Sequence, residues 1–147
     1  MKYIPLTQGK KALIDDDDFK IVSEYQWQYD HGYARGWVNR KRVYMHRMLL
    51  KASRIDHING NTIDNRKSNL RPATQKENTF NHSRNKNNTS GFKGVSWHKS
   101  TNKWRAYISP NNKMKSLGLY SNKEDAARAY NEAAKEYFGE FAKLNNI

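Results

Sequence analysis

Apolar positions along the chain fall in short bursts separated by turn residues, and the spacing of the bursts predicts the elements. In residues 1–52, four consecutive acids from Asp15 to Asp18 precede Phe19, Ile21 and Val22. Acids favour the N-terminal end of a helix, so a short helix is predicted to start near Asp16. Residues 25–37 and 40–50 are rich in aromatic and β-branched side chains, with Gly32, Gly36 and Asn39 as turn markers, a pattern that predicts strands or a hairpin. Residues 54–83 are different: Asp, His, Asn and Gly dominate, and such residues rarely build a core. A loop-rich functional site is expected there. Thr74 and Glu77 have capping-box spacing, which predicts a helix from Gln75 to about His82.

Residues 81–90 contain no apolar side chain and read as a linker, centred on 84–90. Beyond it, alternation returns. Residues 92–97, 103–109 and 115–120 predict three short strands, with turns at 99–102 and 110–112. Ser121 and Glu124 form a second capping box. The helix that follows carries Ala126, Tyr130, Ala133 and Tyr137 on one stripe and meets Gly139 at its end. Small alanines on that stripe let a helix lie close to a sheet. The expected fold class is α+β, in two small domains: residues 1–83, and residues 91–147 as a three-stranded antiparallel sheet with one packed helix.

Charge sharpens this picture. The 147 residues include 27 Lys plus Arg against 14 Asp plus Glu, a net charge of +13. Between Asn78 and Lys123 there is no acidic residue, yet basic residues recur throughout. Such a field points to a polyanion partner, whose condensed counterions are released on binding. The chain has no cysteine, which excludes disulfides and thiolate zinc sites. Residues 1–10 lack the apolar run of a signal peptide. No stretch approaches the ~20 apolar residues of a membrane helix. A cytoplasmic protein is expected, with neither membrane nor small-molecule partner.

The densest chemical signal is Asp56-His57-Ile58-Asn59-Gly60-Asn61, followed by Asp64-Asn65-Arg66 and Ser68-Asn69-Leu70-Arg71, then Asn78 and, four residues on, His82. Asn59-Gly60 is a tight-turn pair, which places Asp56 and His57 where a strand enters a turn. A histidine with an ordinary pKa of ~6.5 can take a proton from water near neutral pH. Asp56 and the Asn78 side-chain carbonyl are oxygen donors of the kind Mg²⁺ prefers. Strand neighbours point to opposite faces, so Asp56 and His57 share one centre only where the chain bends. The Asp15–Asp18 run reads as a solvated charge cluster, not an ion site.

Residues 54–82 resemble the HNH endonucleases, in particular the phage and intron-encoded homing and nicking members. The resemblance implies a ββα-metal domain hydrolysing phosphodiester bonds of double-stranded DNA with Mg²⁺ or Mn²⁺. Matched position by position, Asp56 is implied as the first metal ligand and His57 as the general base. Asn69 is the middle Asn that braces the loop. Asn78 is the final ligand, where many members have His, and His82 is a further candidate ligand. His46-Arg47 also resembles this subfamily, with His46 at the end of a predicted strand, either packed or acting directly. A phage-encoded protein acting in the host cytoplasm, as a monomer or weak homodimer, follows from the same resemblance.

The segments Gly91-Phe92-Lys93-Gly94-Val95-Ser96-Trp97, Lys103-Trp104-Arg105-Ala106-Tyr107-Ile108, Leu117-Gly118-Leu119-Tyr120 and Glu124-Asp125-Ala126-Ala127-Arg128-Ala129-Tyr130-Asn131 resemble the plant APETALA-type (ethylene-response-factor) DNA-binding domain. That family reads the major groove with its sheet. Alternation suggests one basic and aromatic face carrying Lys93, Val95 and Trp97 beside Lys103, Arg105 and Tyr107, a shape that fits a major groove. Expected DNA contacts are Lys93, Ser96, Trp97, Lys99, Lys103, Arg105, Tyr107, Lys113 and Lys115, with Trp104 assigned to the core. The sequence therefore reads as a metal-dependent DNA endonuclease positioned by a second DNA-binding domain. A DNA-binding regulator without cutting activity, or an RNA-binding or RNA-cleaving protein, are the alternatives.

Overall fold

The computed structural model describes residues 1–81 and 87–147. It is mixed α/β, with several small antiparallel sheets and few helices. The chain divides into two compact units, Met1–Asn78 and Thr79–Ile147. Among the described residues no helix is long and apolar enough to cross a membrane.

The first unit opens with a hairpin of β1 (Lys2–Pro5) and β2 (Lys11–Ile14), closed by a turn in which Gln8 and Gly9 take positive φ. The acid run forms a 3-10 turn, Asp16–Asp18, that leads into the single helical turn α1 (Phe19–Val22). A meander follows: β3 (Trp27–Asp30), β4 (Tyr33–Val38) and β5 (Lys41–Tyr44), all antiparallel. His31-Gly32 and Asn39-Arg40 join the strands, with positive φ at all four residues. Two-residue turns of that hand match the twist of the strands.

Two expectations are corrected here. Residues 45–50 are not a strand continuation but helix α2 (Met45–Leu50), so His46 lies in a first helical turn. The β-branched run ends at Val43, Met and Leu are good helix formers, and Lys51 closes the helix with φ of 52°. Gly36 is not a turn residue but sits mid-strand in β4, where a Cβ would lie 2.8 Å from the Trp27 ring. Glycine there lets the indole pack flat on the sheet. The core of this unit is Ile4, Leu6, Ala12, Ile14, Val22, Trp27, Ala34 and Met45. The Trp27 indole N–H is satisfied by Val22 O at 2.9 Å.

A third sheet, of two strands, pairs β6 (Ile55–His57) with β7 (Leu70–Pro72), in the register Asp56↔Arg71 and His57↔Leu70. Helix α3 (Gln75–Phe80) follows at once. Its start is a reciprocal capping box: Thr74 N donates to Glu77 Oε2 and Glu77 N to Thr74 Oγ1. The division between the two units falls within this helix.

The second unit contains the sheet β8 (Val95–His98), β9 (Lys103–Ile108) and β10 (Lys115–Tyr120), in the order β10-β9-β8. Helix α4 (Lys123–Phe138) packs on it through Ala126, Ala127, Tyr130, Ala133 and Ala134. Tyr137, near the end of the helix, is exposed, while Ala127 and Ala134 are buried beside Ala126 and Ala133. The helix cap is Asn122, not Ser121. Its Oδ1 accepts from Asp125 N at 2.8 Å, and its Nδ2 reaches Asp125 Oδ2 at 2.7 Å. Asn is as strong a cap as Ser, and Asp125 then occupies the third helical position. The first strand begins at Val95, because residues 92–94 form a turn in which Gly94 has φ of 71°. Asn88 and Ser90, placed in the linker by their polarity, hydrogen-bond to Phe92 O, and Ser90 also to Val95 O.

Candidate functional site

The loop between β6 and β7 is built almost entirely from polar side chains that bond to backbone. Gly60 N donates to His57 O at 2.8 Å, and Ile58 N to Asn69 O at 2.9 Å. Asn69 spans the loop: its Oδ1 accepts from Asn59 N at 3.0 Å and its Nδ2 donates to Asp64 O at 2.8 Å. Arg66 clamps Asp64 with Nε at 2.8 Å and Nη2 at 2.6 Å, while Asn59 Nδ2 reaches the same carboxylate. Arg66, followed by Asn59, holds the Asp64 carboxyl below its usual range. Strand β2 fixes the loop from the side, with Leu13 N donating to Ile63 O and Asn65 N to Leu13 O. The acid run is a tether more than a solvated cluster: Lys67 N donates to Asp15 Oδ2 and Lys67 Nζ to the buried Asp18.

That frame seats His57, which is only 5% exposed. Its Nε2 lies 3.0 Å from Oδ1 of Asn65, a residue with no exposed surface. Asn65 Nδ2 donates to Met45 Sδ at 3.4 Å, so its oxygen faces the imidazole. Nε2 therefore carries the proton, and Nδ1 is the basic nitrogen. Burial lowers the His57 pKa, opposed by the Asn65 hydrogen bond and by the negative charges of Asp56 and Asp64. In the sequence Asn65 is one polar residue within a polar string; only the fold shows what it holds.

A second imidazole stands beside the first. The ring centre of His46 is 5.1 Å from that of His57, edge to face. Tyr44 stacks on His46 at 5.4 Å, and Tyr33 lies 5.6 Å from His46 and 6.1 Å from His57. Burial, then repulsion from His57 and Arg47, pushes the His46 pKa down to about 4. His46 Nδ1 is buried without a hydrogen-bond partner among the described residues.

Asp56 and His57 are both buried but are engaged differently. Asp56 Oδ2 accepts from Arg71 Nε at 2.9 Å and from Arg71 Nη2 at 2.6 Å, across the two-stranded sheet. Asn78, on α3, has its Oδ1 buried and without a hydrogen-bond partner among the described residues. Among the described residues no three His, Cys, Asp or Glu side chains converge as a closed metal site. A carboxylate and an amide oxygen are donor types that suit a hard ion such as Mg²⁺, which takes few protein ligands and completes its shell with water and phosphate. His82 lies outside the described residues.

In the second unit, register decides which side chains share a face. Val95 pairs with Ala106 and Trp97 with Trp104, on the side that meets α4. The expected face of Lys93, Val95 and Trp97 beside Lys103, Arg105 and Tyr107 is therefore two faces. Val95 is core; Trp97 lies edge-on to Trp104 at 5.0 Å and is 43% exposed at the sheet's end. Lys93 donates its ammonium to Phe80 O at 2.8 Å, and its burial lowers its pKa to about 8. Lys115 turns to Tyr137 Oη. The opposite face carries Ser96 across from Arg105 and His98 across from Lys103, with Tyr107 next along β9. The Arg105 guanidinium lies 5.5 Å from the Tyr107 ring centre. Lys99 and Lys113 are exposed in the connecting segments.

Comparison with known proteins agrees with both halves. The AP2 domain family matches residues 90–140. An uncharacterised HNH endonuclease of Acanthamoeba polyphaga mimivirus is 33% identical over 150 residues, which is 95% of this chain and 77% of the relative. Protein 3.8 of Escherichia phage T7 is 38% identical over 90 residues, or 61% of this chain and 74% of the relative. No solved structure matches the chain.

Proposed function

The chain belongs to the HNH endonuclease family and carries an AP2-type domain, and from that premise we propose that it is a metal-dependent endonuclease hydrolysing phosphodiester bonds of double-stranded DNA. In this reading β6, β7 and α3 form the ββα-metal element. His57 Nδ1 takes the proton from the attacking water, and Asn65 holds the tautomer that leaves this nitrogen basic. Burial keeps His57 largely neutral at pH 7, as a general base must be. Asn69 holds the loop in the shape that presents His57. Asp56 and the orphaned oxygen of Asn78 would hold the divalent ion, with His82 a further candidate. The ion, Mg²⁺ or Mn²⁺, supplies charge stabilisation at the leaving oxygen. The outer face of the β8–β10 sheet, with Ser96, Lys103, Arg105 and Tyr107, would position the DNA, and the exposed Lys99 and Lys113 would meet phosphates. The viral origin of both relatives suggests a viral protein acting on DNA in an infected cell.

The observation that carries the proposal is the buried His57 Nε2–Asn65 Oδ1 bond at 3.0 Å. A buried ring N–H needs an acceptor in any role, and here that acceptor also fixes the tautomer that leaves Nδ1 basic. Incubation of supercoiled plasmid or phage DNA with Mg²⁺ or Mn²⁺ tests it. Cutting by the wild type is expected, lost in His57→Ala and on adding a chelator. The Arg71 clamp on Asp56 favours a second reading, a regulator that binds DNA without cutting. Binding without cutting, across several DNAs and both ions, would establish that reading instead.

A further inference from the structure

The β3–β5 sheet has two faces of opposite chemistry. Trp27, Ala34 and Gly36 turn to the core. The register pairs Arg35 with Tyr44 and Trp37 with Arg42, and these four side chains stand on the other face with Tyr33. Trp37 there is 59% exposed, although a tryptophan of the same sheet, Trp27, is almost fully buried. The Arg42 guanidinium lies 5.9 Å from the Trp37 ring centre; those of Arg35 and Arg47 lie 4.9 and 5.3 Å from Tyr44. Tyr44 stacks on His46, and Tyr33 reaches His57 at 6.1 Å. One stripe of alternating guanidinium and aromatic groups therefore runs from exposed Trp37 to buried His57. It is anionic at one point, Asp30, which holds Arg35 at 3.0 Å and Arg42 at 3.5 Å. Arg47, at the end nearer His46, makes no ion pair among the described residues.

We propose that this face is a second DNA-binding surface, separate from the AP2-type sheet, which seats the backbone flanking the bond to be cut and leads it to His57. Charge complementarity and continuity with the His46–His57 pair argue for it. Arginines over aromatic rings offer fixed donors to phosphate, and an exposed indole offers a flat surface to sugar or base. The role of His57 in this proposal rests on the nuclease reading; the binding surface itself does not.

The test uses full-length protein, a mixed-sequence 40-base-pair DNA duplex and a chelating buffer, so that nothing is cut. Binding is followed by fluorescence anisotropy across a salt series. Arg42→Gln with Arg47→Gln is expected to reduce the slope of log affinity against log salt by about 2, roughly one for each phosphate that the variant leaves unneutralised. Binding near 100 mM salt should weaken about tenfold or more. Ultraviolet crosslinking of the wild type should join DNA to the peptide holding Trp37. An unchanged slope in a variant of wild-type thermal stability would overturn the proposal. So would crosslinks confined to the second unit, which decide the matter even if the variant does not fold. Equal competition by an RNA duplex would overturn the assignment to DNA. A protein that crosslinks through Trp37 but never cuts DNA keeps this surface and loses the nuclease reading.

Discussion

Asn65 and His46 are the two side chains whose chemistry depends most on their exact surroundings. Asn65→Ala would remove the acceptor that Asn65 offers the buried His57 Nε2–H, at a cost of about 1–3 kcal/mol of stability. If His57 is the base, kcat should fall about 10–100-fold, as for lost orienting partners elsewhere, with KM little changed. Asn65→Asp keeps an acceptor at that nitrogen and should retain more activity than Asn65→Ala at equal stability. Equal losses in the two variants would make Asn65 merely structural. His46 allows a prediction without activity. Its pKa falls from 6.5 to about 4 on folding, so between those values the unfolded chain binds more protons than the native one. Stability contributed by neutral His46 is present above pH 6.5 and lost as pH falls toward 4, up to about 3 kcal/mol. Urea unfolding from pH 7 to pH 4 should therefore show a steeper decline for wild type than for His46→Gln. Neither role is legible in the sequence. The oxygen of Asn65 faces His57 because Leu13, more than fifty positions earlier, holds its backbone. His46 is desolvated by Tyr33 and Tyr44, which only the strand register brings near.

At the scale of elements, Gly94 is the glycine of the second unit with the least room for a side chain. A Cβ there would lie 2.0 Å from the Tyr130 ring and 2.6 Å from Tyr107 O, at a φ of 71° that side chains rarely adopt. Gly94→Ala should cost about 2–4 kcal/mol, combining left-handed strain with overpacking. Differential scanning calorimetry should show it, whereas an alanine at Gly91, which meets nothing within 4 Å, should suffer from strain alone. Elements are legible wherever local chemistry is strong. The Thr74–Glu77 box, the alternation in β9 and β10 and the alanine stripe of α4 all correspond to observed structure. The β1–β2 hairpin is not legible, because four residues per strand, half of them exposed, carry too little alternation. Residues 45–50 mislead because Met, His and Leu fit a half-buried strand as well as a short helix, and only Lys51 in the left-handed region ends the ambiguity. The outer face of the β8–β10 sheet has other members than the sequence suggests, because alternation gives parity within a strand but not which parities share a side across strands. The Trp97–Trp104 pairing settles that.

For the whole molecule, the central question is what one centre per chain can do to a duplex. The run Asp56-His57-Ile58-Asn59-Gly60 occurs once in the sequence, and the two strands of DNA run in opposite directions. A centre seated on one strand by asymmetric contacts cannot present the same face to the other without releasing it or recruiting a second chain. If the nuclease reading holds, nicked circles should therefore accumulate first from supercoiled plasmid, at a rate proportional to protein concentration. Linear DNA should follow only as a later, separate event. A time course resolved on an agarose gel at several concentrations distinguishes the possibilities. Linear product formed without a nicked precursor, at a rate rising with the square of concentration, would mean that a dimer cuts both strands. Nicking that persists at the lowest concentrations would mean that one chain suffices. The net charge of +13 weighs toward the monomer, because it repels a second copy in free solution and relaxes only once phosphates neutralise it. High salt, which screens that repulsion, also weakens each chain's hold on DNA, so it should suppress both products together and not favour the linear form.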